Sequence, residues 1–198
     1  MTKQHIDLHK IFQRGFTQQS PIGASLASVA LIITPHKDLL FIRRSEHPKD
    51  PWSGHISFPG GREEPYDKTS IDCAIRETQE EVHLTLNPLW HTGRLDEVRT
   101  SPRLPPLVIR PHVFLVPKDL EPKCSDEVHQ VFFVSLQDLL NNRNRTQMNY
   151  EWHDQTFKLP CVELHHGRLW GISLRIVDDL LNRIDGQGIG LARLASTI

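Results

Sequence analysis

The chain's 198 residues carry 23 Lys and Arg against 24 Asp and Glu, so it lacks the basic excess that holds a nucleic-acid backbone, and a small-molecule partner is expected. Its length suits one domain around a single core. No apolar run approaches the roughly 18 to 20 residues that span a bilayer, and Met1 to Lys10 lacks the apolar stretch of a signal peptide, which predicts a cytoplasmic protein with no membrane association. Cys73, Cys124 and Cys161 are odd in number and widely spaced, and read as reduced thiols.

Leu8, Ile11, Phe12 and Phe16 recur at helical spacing and predict a short amphipathic helix packed on the domain from outside. Leu26 to Ile33 and Leu39 to Ile42 read as two strands joined by a turn over Pro35, His36, Lys37 and Asp38. Ile56 to Phe58 leads into the turn at Pro59, Gly60 and Gly61. From Ser70 to Val82 the positions Ile71, Ala74, Ile75, Thr78 and Val82 keep the helical period, with Thr69 and Asp72 placed as a capping pair. Arg99 to Pro106, with three prolines and two arginines, reads as a loop, either a pocket edge or a solvated connector. Further strands are expected at Leu107 to Val116 and Val131 to Val134, then Ser135 as cap for a helix over Leu136 to Leu140. Ile172, Ile176, Leu180 and Ile184 mark a second long helix, after which Gly186, Gly188 and Gly190 loosen the chain. Strands interleaved with two principal helices indicate a layered α/β domain.

Glu77, Glu80 and Glu81 stand at i, i+3 and i+4 of the Ser70 to Val82 helix and share a face. Like charges at this spacing cost about 0.2 to 0.5 kcal/mol per pair, and the negative end of the helix dipole adds to that. Such a face is either a solvated surface, with Arg76 pairing Glu80, or a site for a hard cation such as Mg²⁺ or Mn²⁺ held with phosphate oxygens. The diglycine turn Gly60-Gly61 tips the reading toward phosphate chemistry, because backbone there can approach a metal or phosphate unobstructed.

With these residues in view, the sequence resembles the Nudix box, a glycine followed at set spacing by R-E-x-x-E-E. Gly61, Arg76, Glu77, Glu80 and Glu81 fit it; Asp67 stands for the first glutamate, with eight residues between it and Arg76 in place of seven, and His83 stands where a glycine closes the helix. Histidine tolerates the left-handed conformation that this end requires better than a β-branched residue does. Arg43-Arg44-Ser45, Gly54 to Gly61 and Leu169 to Ser173 are further similar to the coenzyme A diphosphatase branch, although Glu46 to Ser53 is one residue longer than in that branch's signature. The resemblance covers roughly residues 26 to 184. It implies a Nudix α/β/α sandwich with a mixed central sheet over residues 25–185, between a helical extension at 1–24 and a tail at 186–198.

It also implies that Glu77, Glu80 and Glu81, with the Gly60 carbonyl, hold one to three divalent ions, Mg²⁺ or Mn²⁺, and that Arg76 orients the carboxylates. Glu127 is the candidate for a base or extra ligand, against an ordinary surface glutamate. Arg43 and Arg44 end a strand on opposite faces, so one of them is expected to grip phosphate, Arg44 being first choice for the 3′-phosphate of coenzyme A. Trp52 and Trp170 either stack on an adenine or belong to the core. The twelve histidines hold no helical pair with a matching acid, so no zinc site is indicated and they read as surface residues. The implied function is hydrolysis of a diphosphate linkage in coenzyme A or a related nucleoside diphosphate derivative. The rivals are an ADP-ribose or dinucleotide pyrophosphatase and a non-catalytic nucleotide-sensing module, which would have no need of the retained carboxylates. Oligomeric state is left open, a homodimer included.

Overall fold

A computed structural model describes residues 24–48, 50, 52–100, 106–152 and 155–185. The anticipated N-terminal helix, the prolines at 102 and 105 and the glycine-rich tail lie outside them. Strand β1 (Ser25–Ile33) and strand β2 (Asp38–Arg44) flank the expected turn, in which Lys37 takes a positive φ of 65°. The two strands pair only at Ile33 and Leu39 and then splay. Two short strands fill the gap: β3 (Ile56–Ser57) pairs β2 at Ile42 and Arg43, and β4 (Gly60–Arg62) pairs β1 at Ala27 to Val29. Gly60 and Gly61, expected in a turn, instead open β4, because their pairing with Val29 and Ser28 draws them in against β1.

Next come helix α1 (Ser70–Val82), β5 (His91–Arg94), β6 (Val98–Arg99) and β7 (Leu107–Leu115). Strand β7 lies parallel to β1 over nine consecutive partners, Ser25 with Leu107 through Ile33 with Leu115. Strand β8 (Val128–Ser135) runs antiparallel along β2, and Ser135 caps the short helix α2 (Leu136–Leu140). These eight strands form one mixed sheet. Strands β9 (Arg145–Trp152), β10 (Gln155–Leu164) and β11 (Gly167–Trp170) form a second, antiparallel sheet, and helix α3 (Gly171–Asp185) ends the described chain. None of these three strands was expected from the sequence.

Strand alternation explains the layering. Ala30 and Ile32 of β1 and Leu40 and Ile42 of β2 face one way and pack on Ala74 and Val82 of α1. Leu31, Ile33, Leu39 and Phe41 face the other way, among Leu174, Val177, Leu180 and Leu181 of α3. The main sheet therefore lies between α1 and α3, an α/β arrangement. Among the described residues no helix is long and apolar enough to cross a membrane.

The reading of the histidines as surface residues fails at His112. Its position on β7 faces the start of α1, where its ring is buried between His91 Nε2 at 3.1 Å and Ser70 Oγ at 3.1 Å. Burial, then the charges of His91, Arg94 and Arg110, hold its pKa down to about 3 from 6.5. The unfolded chain binds the proton first, so this group's contribution is present above about pH 6.5 and is lost as pH falls toward about 3. Urea unfolding of the parent should lose roughly 3 kcal/mol between about pH 7.5 and about pH 4 from this group, and His112→Gln should lose correspondingly less. Equal losses in both proteins would assign the acid sensitivity to other groups.

Candidate active site

Helix α1 has the ends its sequence calls for. Thr69 and Asp72 form a reciprocal capping box, and His83 closes the helix in the left-handed conformation at φ 54°. The carbonyls at this end are taken up by the segment leading to β8: Ser125 N–H donates to Glu81 O at 3.0 Å and Lys123 N–H to Val82 O at 3.0 Å. Ser45, just past β2, fixes the same segment by donating from its N–H to Glu127 O and from its hydroxyl to Asp126 O, each at 2.9 Å. These bonds explain why Glu127, far away in sequence, stands over the acidic face of α1.

The result is a polar cavity of about 500 Å³ whose walls include Glu64, Glu77, Glu80, Glu81, Asp126 and Glu127. Arg76 organises it. Its Nε and Nη2 hold Asp67 in a two-pronged bond at 3.1 and 2.9 Å, while Nη1 donates to Glu77 Oε1 at 2.7 Å and Glu80 Oε2 at 2.9 Å. Tyr66 covers the guanidinium, with its ring centre 5.4 Å away. The hydrogen bonds from Arg76 keep the Asp67 carboxyl below the usual range, so Asp67 serves as the fixed counter-charge of Arg76.

Glu81 is buried. Its Oε2 accepts from Gly60 N–H at 2.9 Å and its Oε1 lies 3.4 Å from Arg44 Nη1. Burial outweighs both donors and pushes its carboxyl up to about 7. Burial likewise raises the Glu77 carboxyl, against the opposing bond from Arg76. Each carboxylate thus carries negative charge that its surroundings do not fully compensate.

Gly61 lies so close to Glu77 that a Cβ there would overlap the carboxylate. Gly60 has φ 153°, and its Cβ would overlap the Ser28 carbonyl. Both positions require glycine, one for close approach and the other for backbone conformation as well.

The hard-oxygen donors suit a divalent cation, and two of them, Glu77 and Glu81, are pushed toward protonation by burial, an effect a bound cation would oppose. They are not a finished cage: among the described residues no three His, Cys, Asp or Glu side chains stand in a metal-ligating arrangement. Arg76 holds Glu77 and Glu80, while Gly60 N–H and Arg44 hold Glu81. Arg76 engages one oxygen of Glu77 and one of Glu80, whereas both oxygens of Glu81 are engaged, so binding an ion through Glu81 requires it to turn from Gly60 N–H or Arg44.

Glu77, Glu80, Glu81, Arg76 and Glu127 are brought together, and Gly60 and Gly61 border them from the second, larger cavity beside it. Arg44 lines that second cavity as well, tied to Asp50 Oδ2 at 2.9 Å. Arg43, its neighbour on β2, lines neither cavity. Trp52 and Trp170 are half-buried on the second cavity's wall and are not core residues. Glu64, Asp126, Asp50, Tyr150 and Trp152 also border the two cavities and were missed from the sequence. The alternation of Met148, Tyr150 and Trp152 was the available signal for the last two.

Comparison with known proteins agrees with this architecture. Residues 24–156 match the model of the NUDIX domain. The Nudix hydrolases NudL, themselves uncharacterised, of Yersinia pestis (strain Pestoides F) and Yersinia pseudotuberculosis (serotype O:1b, strain IP 31758) are each 26% identical to the chain over 157 residues, 79% of this chain and 77% of theirs. In three dimensions, a MutT/nudix family protein from Enterococcus faecalis aligns with a TM-score of 0.52 at 16% identity, covering 81% of this chain and 59% of that one, a likeness of fold.

Proposed function

The chain belongs to the Nudix family, and from that premise we propose that it is a hydrolase of nucleoside diphosphate derivatives, with coenzyme A as its substrate. The observation that carries the reading is the convergence of Glu77, Glu80, Glu81 and Glu127 on one polar cavity bordered by glycine backbone. Glu77, Glu80 and Glu81, with the Gly60 carbonyl, are the groups that would hold Mg²⁺ or Mn²⁺. Held there, a divalent ion would neutralise diphosphate charge, lower the pKa of a bound water and stabilise the leaving oxygen.

The chain's own residues supply position and proton transfer. Arg76, anchored on Asp67, sets the rotamers of Glu77 and Glu80. Gly61 leaves room for a phosphate against Glu77. Glu127 is placed at the junction of the two cavities, where its carboxylate takes the proton of the attacking water. No covalent intermediate on the protein is needed.

Coenzyme A is favoured by the similarity of Arg43-Arg44-Ser45 and of Gly54 to Gly61 to that branch of the family. Arg44, already held by Asp50 and Glu81, offers the substrate only the face of its guanidinium that these two leave. Its removal would disturb Glu81 as well, so the substrate is tested on the unaltered chain. With Mg²⁺, kcat/KM for coenzyme A should exceed that for 3′-dephospho-coenzyme A and for ADP-ribose by roughly tenfold or more, as expected for one charge-assisted phosphate contact. Mass analysis should find 3′,5′-ADP and 4′-phosphopantetheine. Preference for ADP-ribose would remove coenzyme A and leave the general activity standing.

A further inference from the structure

The cavity of about 720 Å³ beside the carboxylates extends past Arg44, Gly61 and Glu127, and the rest of its lining has no part in the chemistry derived so far. It shares Glu77, Glu81 and Glu127 with the polar cavity, so whatever occupies it is joined to the reacting group. Its floor is apolar, from Ala27 and Val29 of β1 and Leu107 and Ile109 of β7. Besides Phe58, which is buried in the core, five aromatic residues stand on its wall: Trp52, Tyr150 and Trp152 of β9, Phe157 of β10, and Trp170 at the end of β11.

The second sheet's register gathers these rings. Tyr150 is paired with Phe157, and Trp152 lies two residues on, hence on the same face. The Tyr150 ring stacks on Trp152 with centres 6.3 Å apart and 18° between planes, and it meets Trp170 at 5.0 Å and 46°. His55 abuts Trp170 edge-on at 4.7 Å. All five rings are half-buried, so none is sealed in the core. The domain match ends at residue 156, so Phe157, Trp170 and α3 lie beyond the stretch that the family model covers.

We propose that this wall is a nucleobase-stacking subsite in which Tyr150, Trp152 and Trp170 set substrate specificity, taking the purine of a nucleoside diphosphate whose phosphates lie at Glu77, Glu81 and Glu127. The inference rests on the hydrolase reading above. An alkyl or amide arm needs only the aliphatic floor to be accommodated; planar ring faces recognise a planar heteroaromatic partner, for which stacking is strong. Arg44, Asp50 and His55 on the same wall supply donors and acceptors for the base or ribose edge.

The test titrates ADP, inorganic pyrophosphate and 4′-phosphopantetheine into the full chain with Mg²⁺, following heat. Trp152→Ala and Tyr150→Ala should each weaken ADP by roughly tenfold and leave pyrophosphate within about twofold, and Trp152→Phe should restore most of the loss. Circular dichroism checks folding; if Trp152→Ala does not fold, Tyr150→Ala and Trp152→Phe carry the comparison. ADP affinity unchanged in the variants, equal weakening of ADP and pyrophosphate, or loss confined to 4′-phosphopantetheine each overturns the subsite. If the parent binds ADP with the expected ring dependence yet cleaves no diphosphate, the hydrolase reading fails and the subsite stands. If it cleaves diphosphates with no ring dependence, the subsite fails and the hydrolase reading stands.

Discussion

Glu81→Gln and Glu80→Gln should each lower kcat with Mg²⁺ by a hundredfold to a thousandfold, about 2.7 to 4 kcal/mol of transition-state stabilisation. Each change keeps side-chain shape and removes one negative charge from the cavity. At Glu81 the change should leave the fold at least as stable in chelator. The Glu81 carboxyl is raised to about 7 by burial, from 4.5, so its stabilising share is present below about pH 4.5 and is lost as pH rises through about 7. A glutamine has no such loss, and melting of Glu81→Gln in EDTA at about pH 8 should match or exceed that of the parent. Turnover within about twofold of the parent in both variants would remove this helix from the chemistry.

The second large effect lies away from the site. Arg145, at the start of β9, meets Asp178 of α3 with Nη2 and Oδ1 2.5 Å apart, the side chains being 7% and 2% exposed. Arg145 Nε and Nη1 and Asp178 Oδ2 are buried with no hydrogen-bond partner among the described residues. Burial raises the Asp178 carboxyl, against the opposing bond from Arg145. The pair is costly to assemble and costlier to halve. Arg145→Met should destabilise the chain by about 3 to 5 kcal/mol, and Arg145→Met with Asp178→Leu should recover most of that or more. Urea unfolding of both single variants and the double variant measures the coupling. A single variant within about 1 kcal/mol of the parent would mean the buried charge is relieved by other means.

The sequence was legible where local and tertiary preferences coincide. Thr69, Asp72 and the apolar spacing fix the limits of α1 before any packing is considered, and the apolar runs of β1, β2 and β7 are buried on both faces. The acidic face of α1 was legible too, because like charges at i, i+3 and i+4 need an explanation. The second sheet was not. Arg145–Trp152 is largely polar, β10 contains Pro160, and the apolar side of β9 faces a cavity in place of a core, so no continuous apolar run marks it. Short β5 and β6 depend on β7 for their pairing. The anchoring of Arg76 on Asp67, and of Arg44 on Asp50 and Glu81, depends on side-chain directions that spacing does not specify.

The parallel pairing of β1 with β7 also constrains the order of assembly. Its nine partner pairs enclose β2, β3, β4, α1, β5 and β6 in a single loop of chain. Closing a long loop costs entropy before any contact within the pairing offsets it, so such non-local pairings slow folding. A nascent chain synthesised only as far as the end of α1 holds Glu77, Glu80 and Glu81 but lacks the strand that fixes β1 beneath them and the segment that caps the helix. Ribosome-bound chains should therefore acquire a protected diglycine strand only after Leu115 has emerged, with the end of helix α1 fraying until Lys123 and Ser125 follow.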